Sequence, residues 1–469
     1  MSFPLEPNAV EMRRLVDEAM HRIVAHIESL PAQSAMNVEG ATEFARTLIE
    51  PLPQRGMPYE ELLDFLFEKA IPRSFTSAGP GYLAYVPGGG LFHAAVADLI
   101  ADAVNRYVGV CAAAPALVQL EANVVRWFCE IIGLPRGSGG VLTSGGSLAN
   151  FTAIVTARKA LLPDDFLRGT LYCSNQIHHS FQKAANLAGF PYANIRELPV
   201  DAQFRIRIDA LEEAIARDRR DGWTPFLIAG SAGTTATGAV DDLAALARVA
   251  RAQKMWFHVD GAYGALFMLT ERGRAALRGI EEADSLILDP HKTLFLPFGT
   301  GALLVRDAQA LRRAHSLHAD YLPAMQEEDE LVDFCEISPE LSRDFRGLRV
   351  WLPLKLFGIE PFREQLDEKL DLIEYAADAL RAIDGIELVA APQLTILAFR
   401  LVRPGLDEEA LDALNRTLLD RITARKRVML TPASVDGRFV IRIAIVSHRT
   451  HRDRVEMAME DIRLECGGA

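Results

Sequence analysis

Residues 255–265, MWFHVDGAYGA, and residues 284–306, DSLILDPHKTLFLPFGTGALLVR, decide the fold of this chain. Each opens as a short β-rich run and reaches polar residues at its end: Asp260 in the first, then Asp289, His291 and Lys292 in the second. Working outward, GGVLTS, TLYCSN and PFLIAGS are runs of the same kind, and TGALLVR closes the series. Helical segments lie between them, among them SLANFTAIVTARKALL, IDALEEAIARDR and DLAALARVARAQK. Strands alternating with helices require crossover connections, which predicts an α/β fold with a mostly parallel central sheet covered on both faces.

On the N-terminal side, residues 7–71 read as helical, because VEMRRLVDEAMHRIVAHIESL and YEELLDFLFEKAI repeat apolar positions at helical spacing. The loop PLPQRGMP separates them. On the C-terminal side, WLPLKLFGIEPFREQLDEKLDLIEYAADALRAI reads as a long helical stretch. The strands ELVAAP, TILAFRLV and RFVIRIAIV follow, and the helix HRDRVEMAMEDIRL closes the chain. The expected organisation is a helical N-terminal segment (1–75), a large α/β domain (76–345) and a small α+β domain (346–469), with no flexible linker.

The 469 residues carry a formal charge of −13. That argues against sequence-independent nucleic-acid binding and against docking on anionic membrane, since both need an excess of Lys and Arg. No apolar stretch reaches the ~18 residues of a membrane span, and MSFPLEPNAVEMRR lacks the basic-then-apolar pattern of a secretory signal. The five cysteines are odd in number and without CxxC spacing, so a reduced, cytoplasmic chain without a thiolate metal site is expected.

In an open parallel sheet, ligands bind beyond the carboxyl ends of the strands. Gly145, Gly146 and Ser147 follow the first run, His178 the second, and Thr234 and Thr235 the third; Asp260, His291 and Lys292 complete the set. Glycines after a strand, followed by a helix start, suit a phosphate, although a glycine turn with a serine cap gives the same pattern. Asp260, after an apolar run, is costly to bury without a partner such as a pyridinium N–H; a turn or cap aspartate is the alternative. Lys292 sits among Leu, Phe and Pro, where an amine becomes a usable nucleophile, whereas most lysines snorkel to the surface. A histidine after a strand suits stacking on a planar ring or proton shuttling, and chemistry alone leaves His178 and His179 undecided. The convergence of five strand ends carries more weight than any one of them.

These motifs, together with AYVPGGG, AAAPALVQLE, AGTTATGAVDD and RDFRGLRVW, resemble the pyridoxal-phosphate (PLP) dependent decarboxylases that include the aromatic-L-amino-acid, histidine and glutamate enzymes. The resemblance runs from about Gly81 to the C-terminus. It implies the aspartate-aminotransferase-like PLP fold (fold type I), an obligate homodimer with its active sites at the subunit interface, and an amino-acid substrate. By the same resemblance Lys292 carries the cofactor as a Schiff base and Asp260 partners the pyridine nitrogen. His178 stacks on one ring face, while Ala262 packs on the other. Thr235 lies near the ring hydroxyl, Gly145, Gly146 and Ser147 hold the phosphate, His291 and Thr300 complete the cofactor site, and Arg442 approaches it from the C-terminal domain. Tyr85, Tyr107 and Gly109 are expected in the substrate pocket, the last two contributed by the partner subunit.

Three departures qualify the resemblance. Aligned through RDFRGLRVW, Phe334 occupies the position of a loop tyrosine that donates the proton to Cα. A phenylalanine there is associated with aldehyde synthases, which give aldehyde, ammonia and peroxide. His178 and Tyr321 are the alternative donors. Asp289 stands where Asn or Ser is common, and because a carboxylate repels phosphate it is expected to point away. Gly109 is expected to widen the pocket and Tyr107 to add a phenol. The expected activity is decarboxylation of an L-amino acid, aromatic by resemblance, with decarboxylation-dependent oxidative deamination as the second reading. A non-catalytic paralogue is disfavoured because both Lys292 and Asp260 are present, and a transaminase or desulfurase rests on fold alone.

Overall fold

The computed structural model describes residues 5–316 and 331–467. Its larger sheet has seven strands: β1 (Gly139–Thr143), β2 (Gly169–Ser174), β3 (Ile195–Leu198), β4 (Thr224–Ser231), β5 (Trp256–Asp260), β6 (Ser285–Leu288) and β7 (Gly301–Val305). The spatial order is β1-β7-β6-β5-β4-β2-β3. Strands β6, β5, β4, β2 and β3 pair in parallel, while β7 runs antiparallel to both of its neighbours, β1 and β6. The carboxyl ends of β1, β2, β4, β5 and β6 therefore share one edge, and the start of β7 returns to it, with Thr143 opposite Gly301.

Helices cover both faces, so the central strands are buried along nearly their whole length. The helix Pro115–Ile132 packs against one side with Val124, Val125 and Phe128, and the helix Gly146–Leu161 against the other with Ala149, Ala153 and Ala157. All five cysteines are free. Among the described residues no helix is long and apolar enough to cross a membrane.

The smaller sheet comprises β8 (Ile386–Leu388), β9 (Ile396–Leu401), β10 (Thr431–Val435) and β11 (Arg438–Ala444), all antiparallel, in the order β10-β11-β9-β8. The long helical stretch before it is two helices, Arg346–Phe357 and Glu360–Arg381, because Gly358 takes a positive φ of 72° and stops the first. Residues 81–84 lie along this unit: Leu83 N–H donates to Met429 O, and Ala444 N–H donates to Leu83 O. That contact carries the chain from the small sheet to Val86 at the edge of the large one. The N-terminal helices Ala9–Ser29, Ala41–Thr47 and Tyr59–Asp64 join here too, through Ala35 N–H to Lys426 O and Arg454 to Pro31 O.

Candidate active site

The shared strand edge encloses a cavity of about 270 Å³. Nine of the expected residues line it: Gly145, Gly146, Ser147, His178, Thr235, Asp260, Ala262, His291 and Lys292. They come from the ends of five strands, and only the fold brings them together. The loop after β1 turns at Gly145 (φ 155°, ψ 174°), a conformation that side chains avoid. No side chain caps the helix that begins at Gly146, so its first-turn N–H groups remain for an anion, which the helix dipole also favours.

Asp260 is 9% exposed. Its Oδ2 accepts from Asn150 Nδ2 (3.3 Å) and its Oδ1 from Ala262 N–H (3.3 Å), which leaves lone pairs for a ligand. His178 Nδ1 lies 2.8 Å from Ser180 Oγ and accepts Ser180 N–H at 3.2 Å. Burial pushes its pKa down, against an upward pull from Asp260. His291 donates from Nδ1 to Thr300 O (2.6 Å), and burial lowers its pKa too.

Two expectations about charge are corrected. Asp289 does not point away. It lines the cavity, 3% of its side chain is exposed, and its Oδ2 lies 3.2 Å from Lys292 Nζ and 3.7 Å from His291 Nε2. A buried carboxylate needs a cation, and Lys292, one helical turn on, supplies it. Lys292 has the apolar flanks Leu294, Phe295 and Leu296, but its Nζ meets a carboxylate rather than apolar groups alone.

Five expected residues do not line this cavity. Thr300 is buried and its hydroxyl accepts from Arg349 Nη1 (2.8 Å), with Arg349 held in turn by Asp98. Arg442 is buried, donating to Tyr85 O (2.6 Å) and Thr431 Oγ1 (3.1 Å); it fixes the 81–86 segment. Tyr85 itself is half exposed, at a positive φ of 51°. Tyr107 donates to Leu341 O (3.0 Å). A Cβ on Gly109 would come within 2.5 Å of Tyr107 Oη, so the space that Gly109 leaves is filled by the phenol and does not widen a pocket.

Phe334 does not line the cavity that holds Lys292 either. It is 1% exposed, belongs to the apolar core that includes Ala122 and Leu311, and carries the Arg343 guanidinium 4.6 Å over its ring. Its segment is tied to the 109–111 loop by Cys335 N–H to Gly109 O (3.0 Å) and Cys111 N–H to Asp333 Oδ1 (2.6 Å). Tyr107, Gly109 and Phe334 therefore form a second cluster. Tyr321 lies outside the described residues.

Asn150, Ser180 and His258 were not singled out from sequence, yet they stand directly behind Asp260 and His178. The available signal was Asn150, an amide on the first turns of the helix, four positions after Gly146.

The site suits PLP: a lysine amine, a carboxylate with spare lone pairs, an uncapped helix start for the phosphate, and His178 and the small Ala262 to flank a planar ring. Residues 50–402 match the family model described as the pyridoxal-dependent decarboxylase conserved domain. The chain is 34% identical over 465 residues to an aromatic-L-amino-acid decarboxylase of Bacillus atrophaeus, covering 99% of this chain and 97% of that one. It is 28% identical over 437 residues to a phenylacetaldehyde synthase of Arabidopsis thaliana, covering 90% and 88%. Among solved structures, Oryza sativa TDC with PLP and tryptamine superposes with a TM-score of 0.94 at 28% identity, covering 100% of this chain and 99% of that one.

Proposed function

We propose that this chain, which belongs to the pyridoxal-dependent decarboxylase family, releases CO2 from an aromatic L-amino acid and returns the amine. The observation that carries the reading is the convergence of Lys292, Asp260, His178 and the Gly145–Ser147 loop on one cavity. The aromatic preference rests on full-length similarity to the Bacillus enzyme.

When bound, PLP supplies an aldehyde that condenses with amines and a ring that accepts an electron pair. The protein's share is positioning and electrostatics. Lys292 Nζ is the amine that would hold the cofactor and yield its place to the amine of the substrate. The Asp260 carboxylate keeps a proton at the ring nitrogen, which strengthens the electron sink. The N–H groups at Gly146 and Ser147 bind the phosphate. His178 and Ala262 would confine the cofactor ring from its two faces, the positioning that a reaction at Cα needs. Once CO2 has left, Cα must take up a proton, and His178, which also flanks the ring in this reading, is the donor we assign.

The functional unit is a homodimer. Large apolar side chains stand exposed across the N-terminal region and the segment after it, including Val10, Val16, Ile49, Leu52, Leu99 and Val104. Tyr107, which does not line its own chain's cavity, is the exposed member of the second cluster and faces the partner's site, with Gly109 and Phe334 buried behind it.

One observation favours a second reading. Phe334 has no proton to give, and a phenylacetaldehyde synthase is among the relatives. In that reaction the amino acid, O2 and water yield aldehyde, CO2, ammonia and hydrogen peroxide. Product analysis with a panel of aromatic amino acids, under air and under nitrogen, tests both. Amine with equal yield in both gases supports decarboxylation. Aldehyde with matching O2 consumption replaces it with the second reading, and neither product removes the aromatic substrate.

A further inference from the structure

Behind Asp260 lies a chain of hydrogen bonds among buried groups, and its polarity can be worked out link by link. Asn150 is fully buried and faces three partners: Asp260 Oδ2 at 3.3 Å, Ser180 Oγ at 3.1 Å and His258 Nε2 at 2.9 Å. A carboxylate only accepts, so the amide nitrogen of Asn150 faces Asp260 and Ser180, and its oxygen faces His258. His258 must then carry a proton on Nε2. Burial pushes His258 down to about 4, so the ring is neutral and its Nδ1 is an acceptor. Ser285 Oγ, 2.8 Å from that Nδ1, donates to it, while accepting Trp256 Nε1–H at 2.8 Å.

The other branch is fixed in the same way. Ser180 Oγ accepts from Asn150, so its own proton goes to His178 Nδ1 at 2.8 Å. The same Nδ1 accepts Ser180 N–H, so the proton of neutral His178 sits on Nε2. Every donor from Trp256 to His178 points the same way along the chain. Phe181, stacked on His258 at 6.1 Å, closes its side.

We propose that Asn150 is a positioning residue which, held in one orientation by His258, Ser285 and Trp256, donates to Asp260 and to Ser180 and so fixes the orientation of the Asp260 carboxylate and the Nε2–H tautomer of His178 together. The inference rests on Asp260 as partner of the pyridine nitrogen. Its consequence is that the electron-sink carboxylate and the ring-facing histidine share one hydrogen-bond donor and respond together to its loss.

Two measurements test it. The first uses unaltered holoenzyme labelled with 15N-histidine, with resonances assigned by single substitutions. Both His258 and His178 are expected neutral with the proton on Nε2; an Nδ1–H tautomer or an imidazolium at either overturns the proposal. The second compares His258→Gln, which keeps a donor toward Asn150, with His258→Phe, which does not. PLP titration followed by absorbance should show roughly tenfold weaker binding for His258→Phe, about the worth of one neutral hydrogen bond, and near-parental binding for His258→Gln. Equal affinity in all three overturns it. If His258→Phe does not fold, the tautomers of the parent decide. Failure of the underlying cofactor reading looks different, because PLP would then bind without any visible absorbance that depends on Lys292.

Discussion

Lys292 and Asp289, 3.2 Å apart, set the chemistry of the cavity at the scale of single residues. Replacing Lys292 by Ala removes the amine that holds the cofactor, so the visible absorbance of the PLP adduct should vanish; an unchanged spectrum would refute the assignment. Asp289 brings a buried negative charge into a cavity that must also take a phosphate dianion. Asp289→Asn keeps the shape and removes the repulsion, so PLP should bind more tightly, roughly tenfold for one screened charge pair. Weaker binding on titration would mean that the Lys292–Asp289 pair helps to hold the cofactor. At Phe334 the missing phenol is the point. Phe334→Tyr should raise the ratio of amine to aldehyde in the presence of O2, and an unchanged ratio would mean that this position does not face the reacting carbon of either subunit.

At the scale of elements, the segment carrying Phe334 is anchored by buried charge. Arg343 and Glu121 are both 0% exposed in their side chains and pair at 2.5 Å. Arg343 also donates to Leu142 O at the end of β1, and Glu121 accepts Gly347 N–H at the start of the next helix. The motif RDFRGLRVW thus ties the helix Pro115–Ile132, β1 and the Phe334 segment together. Removing one partner leaves a buried guanidinium without its anion. Glu121→Gln should cost about 3 kcal/mol in urea unfolding; a loss under about 1 kcal/mol would show that water reaches Arg343. Not every element was visible in the residues. Strands β3 and β10 escaped notice because each lies at a sheet edge, paired on one side only: β3 (IREL) is charged, and β10 (TPASV) contains Pro432, which edge strands tolerate.

For the whole molecule, stability in acid follows from burial. His258 is fully buried and pushed from 6.5 to about 4. Below pH 6.5 the unfolded chain takes up a proton there and the folded chain does not, so stability present above 6.5 is lost as the pH falls toward 4. The loss is about 3 kcal/mol from this group. Urea unfolding between pH 7 and pH 4 should therefore be shallower in His258→Gln than in the parent, and parallel profiles would refute the linkage. The sequence alone determined the α/β class, six of the seven large-sheet strands, and that Lys292, Asp260, the His178–His179 pair and the Gly145–Ser147 loop stand at strand ends. Those features are local: an apolar run, a glycine turn and a polar residue at a strand's end are written within a few positions, and strand order sends them to one edge. Tertiary structure alone decided that Asp289 faces Lys292, that Tyr107 fills the space beside Gly109, that Arg442 holds a backbone carbonyl, and that Asn150 joins Asp260 to His178. Each of these depends on groups far apart in the chain meeting in a dry interior, where an unpaired charge or hydrogen bond is too costly to leave, and no local pattern records which partner will be there.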